Sequence, residues 1–470
     1  MPGWSDASLG LPAPPLGSIA ALTSAYERDE VDPLVVLQRL CSRLERQDFG
    51  AAGASPFSDL CLVRAEARAR ASACRWRAGR PLGALDGVPL PLKDQHDVAG
   101  LPTRAGVHSR TQPASRDGAL VERLEAAGAV VPGKTHCTEW GLCPVGRSAH
   151  AALPGHPLDP SRGAGGSSTG AGVAVSLGLA PAALGSDAGG SVRIPAALLG
   201  LFAAKPGREP RRFAGDLFGR GSLTVNGVIA ACTADLALLL ELLGQPSPAS
   251  WLGRGVTGCR IGLPVQAWDM AQPGVRRCGR GLLAALEADG AELCDVSSPL
   301  LQSSRELGVA VVLAESALAL EAAARQGQLG AQAAQSLDEL RRGPWCPPGR
   351  IPQARQALTD QLEQLFCGVD LLAFPTTLTP ALPRDLPQGG QALLDEADDH
   401  SMCATTFAAN LCGLPAGSMP AGMVEGLPVG LQLLGPADGL AGVLAVLAHA
   451  ERAGLAQVVR PPAFRALERG

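Results

Sequence analysis

Residues 162–206 read RGAGGSSTGAGVAVSLGLAPAALGSDAGGSVRIPAALLGLFAAKP, and Gly, Ser and Ala make up most of this stretch. Side chains this small add little bulk to a core, so the stretch is suited to close approach of the backbone. It holds two Gly-Gly-Ser clusters, at 165–167 and 189–191. The apolar run between them predicts one helix and one strand.

The second cluster places Ser191 directly after two glycines, where the backbone can adopt unusual dihedral angles and approach a substrate closely. The residues that follow, VRIPAALLG, predict a short helix with free N–H groups facing the serine. Such donors stabilise the oxyanion of acyl transfer, and one is worth about 2.7–4 kcal/mol of barrier. The pattern predicts a nucleophile at Ser191, although a glycine-rich turn with surface serines stays open from these residues alone.

The composition is compatible with a large enzyme acting on small molecules. The chain has 470 residues, which allows two or three domains or one extended sheet, and 46% of them are hydrophobic. Aromatic residues make up only 3%, so the core must be packed from Ala, Leu and Val. The net charge is -4 with both signs interleaved, which argues against a nucleic-acid-binding face and a polybasic membrane patch.

The cysteines indicate a reducing compartment. There are thirteen, an odd number without regular spacing, so neither a disulfide framework nor a metal site is predicted. We expect mostly buried thiols in a cytoplasmic protein. Residues 1–17 form a lead rich in Pro and Gly, without the features of a signal peptide. No apolar run is expected to reach the ~18 residues of a membrane span.

Three helices are predicted near the start of the chain, over 18–30, from an Asp32 cap onward, and over 60–79. The segment after them carries Lys93, and its prolines at 89 and 91 predict either an edge strand or an extended segment, not a fully bonded central strand. A lysine drawn into a poorly solvated site has a lowered pKa and can act as a base near neutral pH. From the segment alone, a surface lysine is the alternative.

Residues 128–135, GAVVPGKT, match the phosphate-loop pattern and offer a rival function, nucleotide binding. That loop needs a strand before its first glycine and a helix after its lysine. Here the order is inverted: a helix capped by Asp117 ends at Gly128, and a strand over 129–131 lies inside the motif. An extended strand cannot wrap around a phosphate, so this function is the remote alternative.

A second rival is the nucleophile elbow, since GSSTG at 166–170 fits G-x-S-x-G with Ser168 in the middle. The elbow must follow a strand, whereas the preceding residues, LPGHPLDPSRGAG, are rich in strand breakers. Of the later histidines that a triad needs, His449 falls in a predicted amphipathic helix and His400 follows an acidic loop. An α/β-hydrolase is therefore disfavoured.

The runs DPSRGAGGSSTGAG, LGSDAGGSVRIPA and FAAKP resemble in order and spacing the signature region of the amidase signature family. Later segments, NLCGLPAG and GLPVGLQ, also resemble that family, so the resemblance covers roughly residues 18–455. Ala164 and Thr169 depart from its usual Pro and Gly. The resemblance implies a single large α/β domain over 18–470, with a central twisted mixed sheet covered by helices on both faces.

The resemblance also implies an amidase that cleaves the C–N bond of a small carboxamide, without a cofactor or a metal. Its Ser, cis-Ser, Lys triad implies a cis peptide bond between Gly166 and Ser167. A variable region, about 245–368, would shape the pocket and its cover. The implied roles are catalytic for Ser191, Ser167 and Lys93, oxyanion-holding for Ala188, Gly189 and Gly190, and supporting for Ser168, Asp187 and Arg193.

Two alternatives use the same acyl-enzyme. The chain could be a glutaminase-like amidotransferase subunit, although such subunits usually carry an Asp where this chain has Cys403. It could also pass the acyl group to an amine and so form amides. The expected partner is a small amide substrate and neither nucleic acid nor a membrane, and a homodimer is compatible with the sequence.

Overall fold

The computed structural model describes residues 17–46, 49, 52–148, 152–208, 221–245, 253–343, 347–384 and 396–462. All but the last residue of the predicted lead over 1–17 lies outside these ranges. The described chain folds as a single α/β domain. Its strands are β1 Phe57–Leu60, β2 Leu92–Lys93, β3 Gly133–Thr135, β4 Gly155–His156, β5 Asp159–Gly163, β6 Ala182–Asp187, β7 Phe202–Lys205, β8 Val225–Ala230, β9 Arg260–Pro264, β10 Glu292–Val296, β11 Leu371–Pro375, β12 Ala416–Val424 and β13 Leu427–Leu434.

The α-helices alternate with these strands along most of the chain. They are α1 Ile19–Glu27, α2 Pro33–Glu45, α3 Leu62–Arg77, α4 Ala119–Ala126, α5 Thr169–Ser176, α6 Arg193–Leu199, α7 Thr233–Leu242, α8 Val265–Met270, α9 Pro273–Ala288, α10 Ser304–Arg325, α11 Ala331–Arg342, α12 Ile351–Phe366, α13 Glu396–Cys403, α14 Phe407–Leu411 and α15 Leu440–Arg452.

Eleven of the strands form one mixed sheet in the order β1-β3-β2-β6-β8-β7-β12-β13-β11-β9-β10. β2 runs parallel to β3 and β6, whereas β8, β7, β12 and β13 pair antiparallel. β4 and β5 form a separate hairpin. Strands from both ends of the chain therefore share one sheet, which confirms the predicted fold class.

Both faces of the sheet are buried, because successive strand side chains point to opposite sides. In β6, Leu184 belongs to the largest apolar cluster, which includes residues of α1, α7 and α15, while Ala183 belongs to a second cluster. That second cluster includes residues of α2 and α5. The central strands β6, β7 and β8 are thus buried along their whole length, as strands covered by helices on both sides must be.

The predicted helices at the start of the chain are confirmed. The Ser18 side chain accepts from the Ala21 N–H to begin α1, and Asp32 accepts from the Val35 N–H to begin α2, with proline at its first position. Farther along, the runs CRIGLP and AELCDV predict strands and contain β9 and β10, and the predicted helix ESALALEAAARQG includes the end of α10.

Of the two alternatives for the Lys93 segment, the edge strand was wrong. β2 lies between β3 and β6, inside the sheet and not at its edge. The prolines are tolerated because the sheet does not need a backbone N–H at their positions. The Pro91 carbonyl accepts from the Leu184 N–H, and between the prolines the Leu90 N–H donates to the Val130 carbonyl. Lys93 consequently enters the interior of the fold.

Two predicted caps were also wrong. Gly118, not Asp117, precedes α4, and the Asp117 carboxylate instead pairs with Arg64 at 2.5 Å. The run TADLALLLELLG predicts a helix capped by Thr233, but Cys232 precedes α7, and the Thr233 hydroxyl instead donates to the Glu451 carboxylate across the fold. In both cases a long-range partner takes the side chain that the local pattern assigned to a cap.

One described helix, α10, is long and apolar enough by length and composition to cross a membrane. The expectation that no segment reaches that length therefore needs correction. Here α10 packs against α11, α12 and α14, with Leu307, Val311 and Leu320 buried. In this fold 39% of its apolar window is buried.

The described cysteines are free thiols, and fewer of them are buried than we expected. Cys137, Cys143, Cys403 and Cys412 are buried, whereas Cys74, Cys294 and Cys367 are exposed and the other five described are intermediate.

Candidate active site

The two Gly-Gly-Ser clusters meet at one end of the helix–strand–helix unit α5–β6–α6. Ser167 lies just before α5, and Ser191 lies between β6 and α6. The Ser168 N–H donates to the Ser191 carbonyl over 3.2 Å, which joins the two clusters through their backbones. Small residues are required here: a Cβ on Gly185 would lie 2.6 Å from the Ser168 Oγ.

Lys93 reaches this junction from β2. Its Nζ lies 2.7 Å from the Ser167 Oγ, and its side chain is 1% exposed. Burial lowers the pKa of Lys93 to about 8, although Cys137 and Asp187 oppose the shift. About a tenth of this lysine is therefore an uncharged amine at pH 7, far more than for a solvated lysine, and the uncharged form can act as a general base.

The Gly166–Ser167 peptide bond is cis, as the family resemblance implies. The Gly166 N–H donates to the Pro144 carbonyl over 2.7 Å, and the Thr138 N–H donates to the Ser167 carbonyl over 3.2 Å. A Cβ on Gly166 would lie 2.3 Å from the Cys143 carbonyl oxygen. The segment at 138–144 thus holds Ser167 in place and explains why its neighbour is glycine.

Ser191 is the most accessible of the three predicted triad residues, since Lys93 and Ser167 are buried. It is partly accessible, and its Oγ makes no hydrogen bond within the described part of the chain. Lys93 and Ser167 are joined by a hydrogen bond, whereas Ser191 is joined to them only through the backbone contact of Ser168. The arrangement leaves the Ser191 hydroxyl free to meet a substrate.

The expectation for the oxyanion donors needs one correction. The Gly190 N–H donates to the Asp187 Oδ1 over 2.8 Å, so it is already occupied. Ala188 and Gly189 are partly accessible, and no hydrogen bond of their N–H groups is found within the described ranges. Two of the three expected donors therefore remain available to an oxyanion.

Asp187 and Arg193 anchor the loop that carries Ser191. Both side chains are fully buried, and the Arg193 Nη2 lies 2.8 Å from the Asp187 Oδ1. Burial alone would raise the pKa of Asp187, but Arg193 holds it well below its ordinary value. The Asp187 carboxylate also accepts from the Gly190 and Val192 N–H groups, so it is hydrogen-bonded to the residues before and after Ser191. These contacts fit the supporting roles expected of this pair.

The carboxyl-terminal motifs complete this anchor. Arg193 donates to the Asn410 Oδ1 over 2.7 Å and to the Gln432 Oε1. Asn410 in turn donates to the Asp187 carbonyl over 2.8 Å. The segments NLCGLPAG and GLPVGLQ, which were recognised in the sequence only as family motifs, thus hold the nucleophile loop by hydrogen bonds. The bonded residues are more than 200 positions apart in the chain.

Phe407 forms an apolar wall beside the accessible loop. A Cβ on Gly189 would lie 2.3 Å from this ring, and a Cβ on Gly308 of α10 would lie 2.1 Å from it. The Thr406 Oγ1 donates to the Gly189 carbonyl over 2.5 Å. The variable region therefore approaches the site through α10, consistent with the pocket-shaping role expected of it.

Sequence reasoning missed Ser186 and Gln95. The Lys93 Nζ donates to the Ser186 Oγ over 2.9 Å, and the Ser186 Oγ donates to the Gln95 Oε1 over 2.5 Å. Gln95 is two residues from Lys93 and Ser186 is five from Ser191, so proximity to those residues was the only available signal.

The rival sites are not assembled. Lys134 of the phosphate-loop pattern lies in β3, fully buried, 2.6 Å from the Asp94 Oδ1. The strand at this motif is 133–135, not the predicted 129–131, and its lysine faces inward. His449 pairs with Asp289 over 2.8 Å, and the Nε2 of buried His96 has no hydrogen-bond partner among the described residues. The described chain holds no cluster of three or more His, Cys, Asp or Glu side chains placed to bind a metal.

Comparison with known proteins agrees with this architecture. The family profile named Amidase matches residues 36–439. The chain belongs to the amidase signature family. A solved structure titled as that of an amidase superimposes with a TM-score of 0.82 at 30% identity, covering 93% of this chain and 99% of its own. The amidase signature fold predicted from the sequence is thereby confirmed.

Two curated relatives of this amidase-family chain differ in their activities. A glutamyl-tRNA(Gln) amidotransferase subunit of Chloroflexus aurantiacus is 34% identical over 81% of this chain and 85% of its own. A fatty acid amide hydrolase of Arabidopsis thaliana is 29% identical over 98% of this chain and 80% of its own. The family includes both hydrolases and amidotransferase subunits, so the reaction must be argued from the site.

Proposed function

We propose that this protein is an amidase that hydrolyses the C–N bond of a small carboxamide through an acyl-enzyme on Ser191. The observation that carries the proposal is the buried 2.7 Å contact between the Lys93 Nζ and the Ser167 Oγ, whose neighbour Ser168 bonds to the backbone of the partly accessible Ser191. An amine with a lowered pKa beside a hydroxyl is an activated base. No histidine is required.

In the first half-reaction the Lys93 amine takes the Ser167 proton while Ser167 takes the Ser191 proton. The Ser191 Oγ forms a bond to the substrate carbonyl carbon, and the carbonyl electrons move to its oxygen. The N–H groups of Ala188 and Gly189 stabilise that oxyanion. As the C–N bond breaks, Ser167 returns its proton to the leaving nitrogen and recovers one from Lys93.

In the second half-reaction water attacks the acyl-enzyme with the same base. Ser167 takes a proton from water as the new C–O bond forms, and it passes a proton to Lys93. Collapse of the second oxyanion breaks the bond to the Ser191 Oγ, which is reprotonated from Ser167. The products are a carboxylic acid and ammonia or an amine, and the enzyme is restored.

The purified chain alone, incubated with a panel of aliphatic and aromatic carboxamides, tests the proposal. We expect release of ammonia or amine by the unmodified protein and none by Ser191→Ala. Ser176→Ala is the matched control, because Ser176 is a buried serine in α5. Release that persists in Ser191→Ala would refute the assigned nucleophile.

The amidotransferase subunit is the second candidate, supported by the relative of that name. Against it, Cys403 stands where glutaminase subunits usually carry Asp, and its thiol is buried and donates to the Asp399 carbonyl over 3.1 Å. A glutaminase-like subunit should hydrolyse glutamine only with a second protein present. We expect the isolated chain to prefer simple carboxamides over glutamine.

Acyl transfer to an amine needs the same catalytic residues as hydrolysis. Hydroxylamine added to the amidase assay traps an acyl-enzyme as the hydroxamate. We expect carboxylate to be the main product when no amine is added, whereas a predominance of amide products would favour a transferase. A cytoplasmic location and a homodimer stay predictions.

A further inference from the structure

The surroundings of the Lys93 Nζ determine the direction of its lone pair. Three oxygen atoms lie within hydrogen-bonding distance: the Ser167 Oγ at 2.7 Å, the Ser186 Oγ at 2.9 Å and the Ser186 carbonyl oxygen at 3.4 Å. A neutral amine has two N–H donors and one lone pair. Only one of the three neighbours can therefore donate to it.

Two of the neighbours are restricted to accepting. A carbonyl oxygen has no proton, so the Ser186 carbonyl takes one N–H. The Ser186 hydroxyl has one proton and gives it to the Gln95 Oε1 over 2.5 Å, so its oxygen accepts the second N–H. The lone pair of the Lys93 amine is therefore left to accept from the Ser167 hydroxyl. Transfer of the Ser167 proton to Lys93 requires a hydrogen bond in this direction.

The Gln95 amide nitrogen lies on the side of Gly141. A Cβ on Gly141 would lie 2.8 Å from the Gln95 Nε2 and 3.4 Å from the Ser167 Oγ. The amide nitrogen thus faces the glycine at 141, and the amide oxygen faces Ser186. Gly141 itself has a φ of 74°, which favours glycine at this position.

We propose that Ser186 and Gln95 are positioning residues that fix the hydrogen-bond direction of Lys93, so that its lone pair meets the Ser167 proton. Neither residue touches the substrate in this account. Without the Gln95 acceptor, the Ser186 proton can turn toward the lone pair and compete with Ser167. This inference rests on the proposed function, because it assigns the orientation of the same base.

The test compares Ser186→Ala, Ser186→Thr, Gln95→Met and the control Ser176→Ala in kcat, KM and the pH profile of kcat/KM. We expect kcat at its high-pH plateau to fall by about 100-fold in Ser186→Ala and Gln95→Met, the scale of a misplaced catalytic group, with KM little changed. In Ser186→Ala the acid limb should also move to lower pH, because the protonated lysine loses an acceptor. Ser186→Thr keeps a hydroxyl at this position, so it should retain both the kcat plateau and the acid limb of the unmodified enzyme.

A merely structural role would lower activity without moving the acid limb, and Ser186→Thr would not rescue it. Either result, or an unchanged plateau in Ser186→Ala or Gln95→Met, would overturn the positioning role. Labelling of the unmodified enzyme by a fluorophosphonate separates this failure from that of the proposed function. If Ser191 is labelled and the variants behave like the unmodified enzyme, only the positioning role fails, whereas no label on Ser191 would overturn both.

Discussion

The Lys93 Nζ and the Ser167 Oγ lie 2.7 Å apart in the interior, with the lysine 1% exposed. Burial disfavours the ammonium form, so the pKa of this lysine falls from 10.5 to about 8. The base is uncharged above that pH and protonated below it. This contact gives the reaction a pH dependence that the enzyme's histidines would not produce.

We expect kcat/KM to fall as pH decreases through about 8, by about tenfold per pH unit below it. Lys93→Arg should be inactive throughout, since a guanidinium remains protonated. The pH dependence of kcat/KM, measured with the carboxamide that is hydrolysed fastest, gives the pH of this acid limb. A limb near 6.5, or activity retained by Lys93→Arg, would exclude Lys93 as the base.

We expect Gly189→Ala to lower kcat by about 100-fold through displacement of the oxyanion loop. The added Cβ would lie 2.3 Å from the Phe407 ring, so either the ring or the loop must move. Adding Phe407→Ala removes the clash, and the double variant should be more active than Gly189→Ala alone. Equal activity of the single and double variants would show that this contact does not position the loop.

We expect Arg193→Met to lower the free energy of unfolding by about 3–5 kcal/mol, because it leaves the buried Asp187 carboxylate unpaired. Thermal melting of the variant measures the loss. The control is Arg260→Met, which breaks an exposed pair with Asp370 and should leave the melting temperature nearly unchanged. Equal shifts in the two variants would mean that the Arg193 network does not anchor the loop.

We expect MgATP to leave the melting temperature unchanged. Lys134 is buried in β3 against Asp94, so it cannot reach a phosphate without breaking that pair. Ligand that binds only the folded state raises the melting temperature in proportion to its occupancy. A concentration-dependent rise would revive nucleotide binding at residues 128–135.

The fold around residues 162–206 could be predicted because local signals agree there. The helix, strand and helix expected between and after the two glycine clusters are α5, β6 and α6. The mixed sheet was predicted from family resemblance, and the alternation of β6 side chains between two apolar clusters shows that helices cover both of its faces.

Other features depend on contacts that a sequence does not display. The segment before β2 was predicted as an edge strand or an extended segment because of its prolines, yet Pro91 bonds to the central strand β6 through its carbonyl alone. The occupied N–H of Gly190 follows from the turn that brings it to Asp187. Gln95 and Ser186 belong to no sequence motif that we recognised. Only the folded structure brings them together, with the Ser186 hydroxyl donating to the Gln95 Oε1.

The most direct measurement of the central claim is peptide mass spectrometry of the protein after reaction with a fluorophosphonate at pH 8. We predict one adduct on Ser191, no adduct in Ser191→Ala, and at most trace labelling in Lys93→Ala. An adduct on Ser168, or labelling of Lys93→Ala at the rate of the unmodified enzyme, would contradict the account.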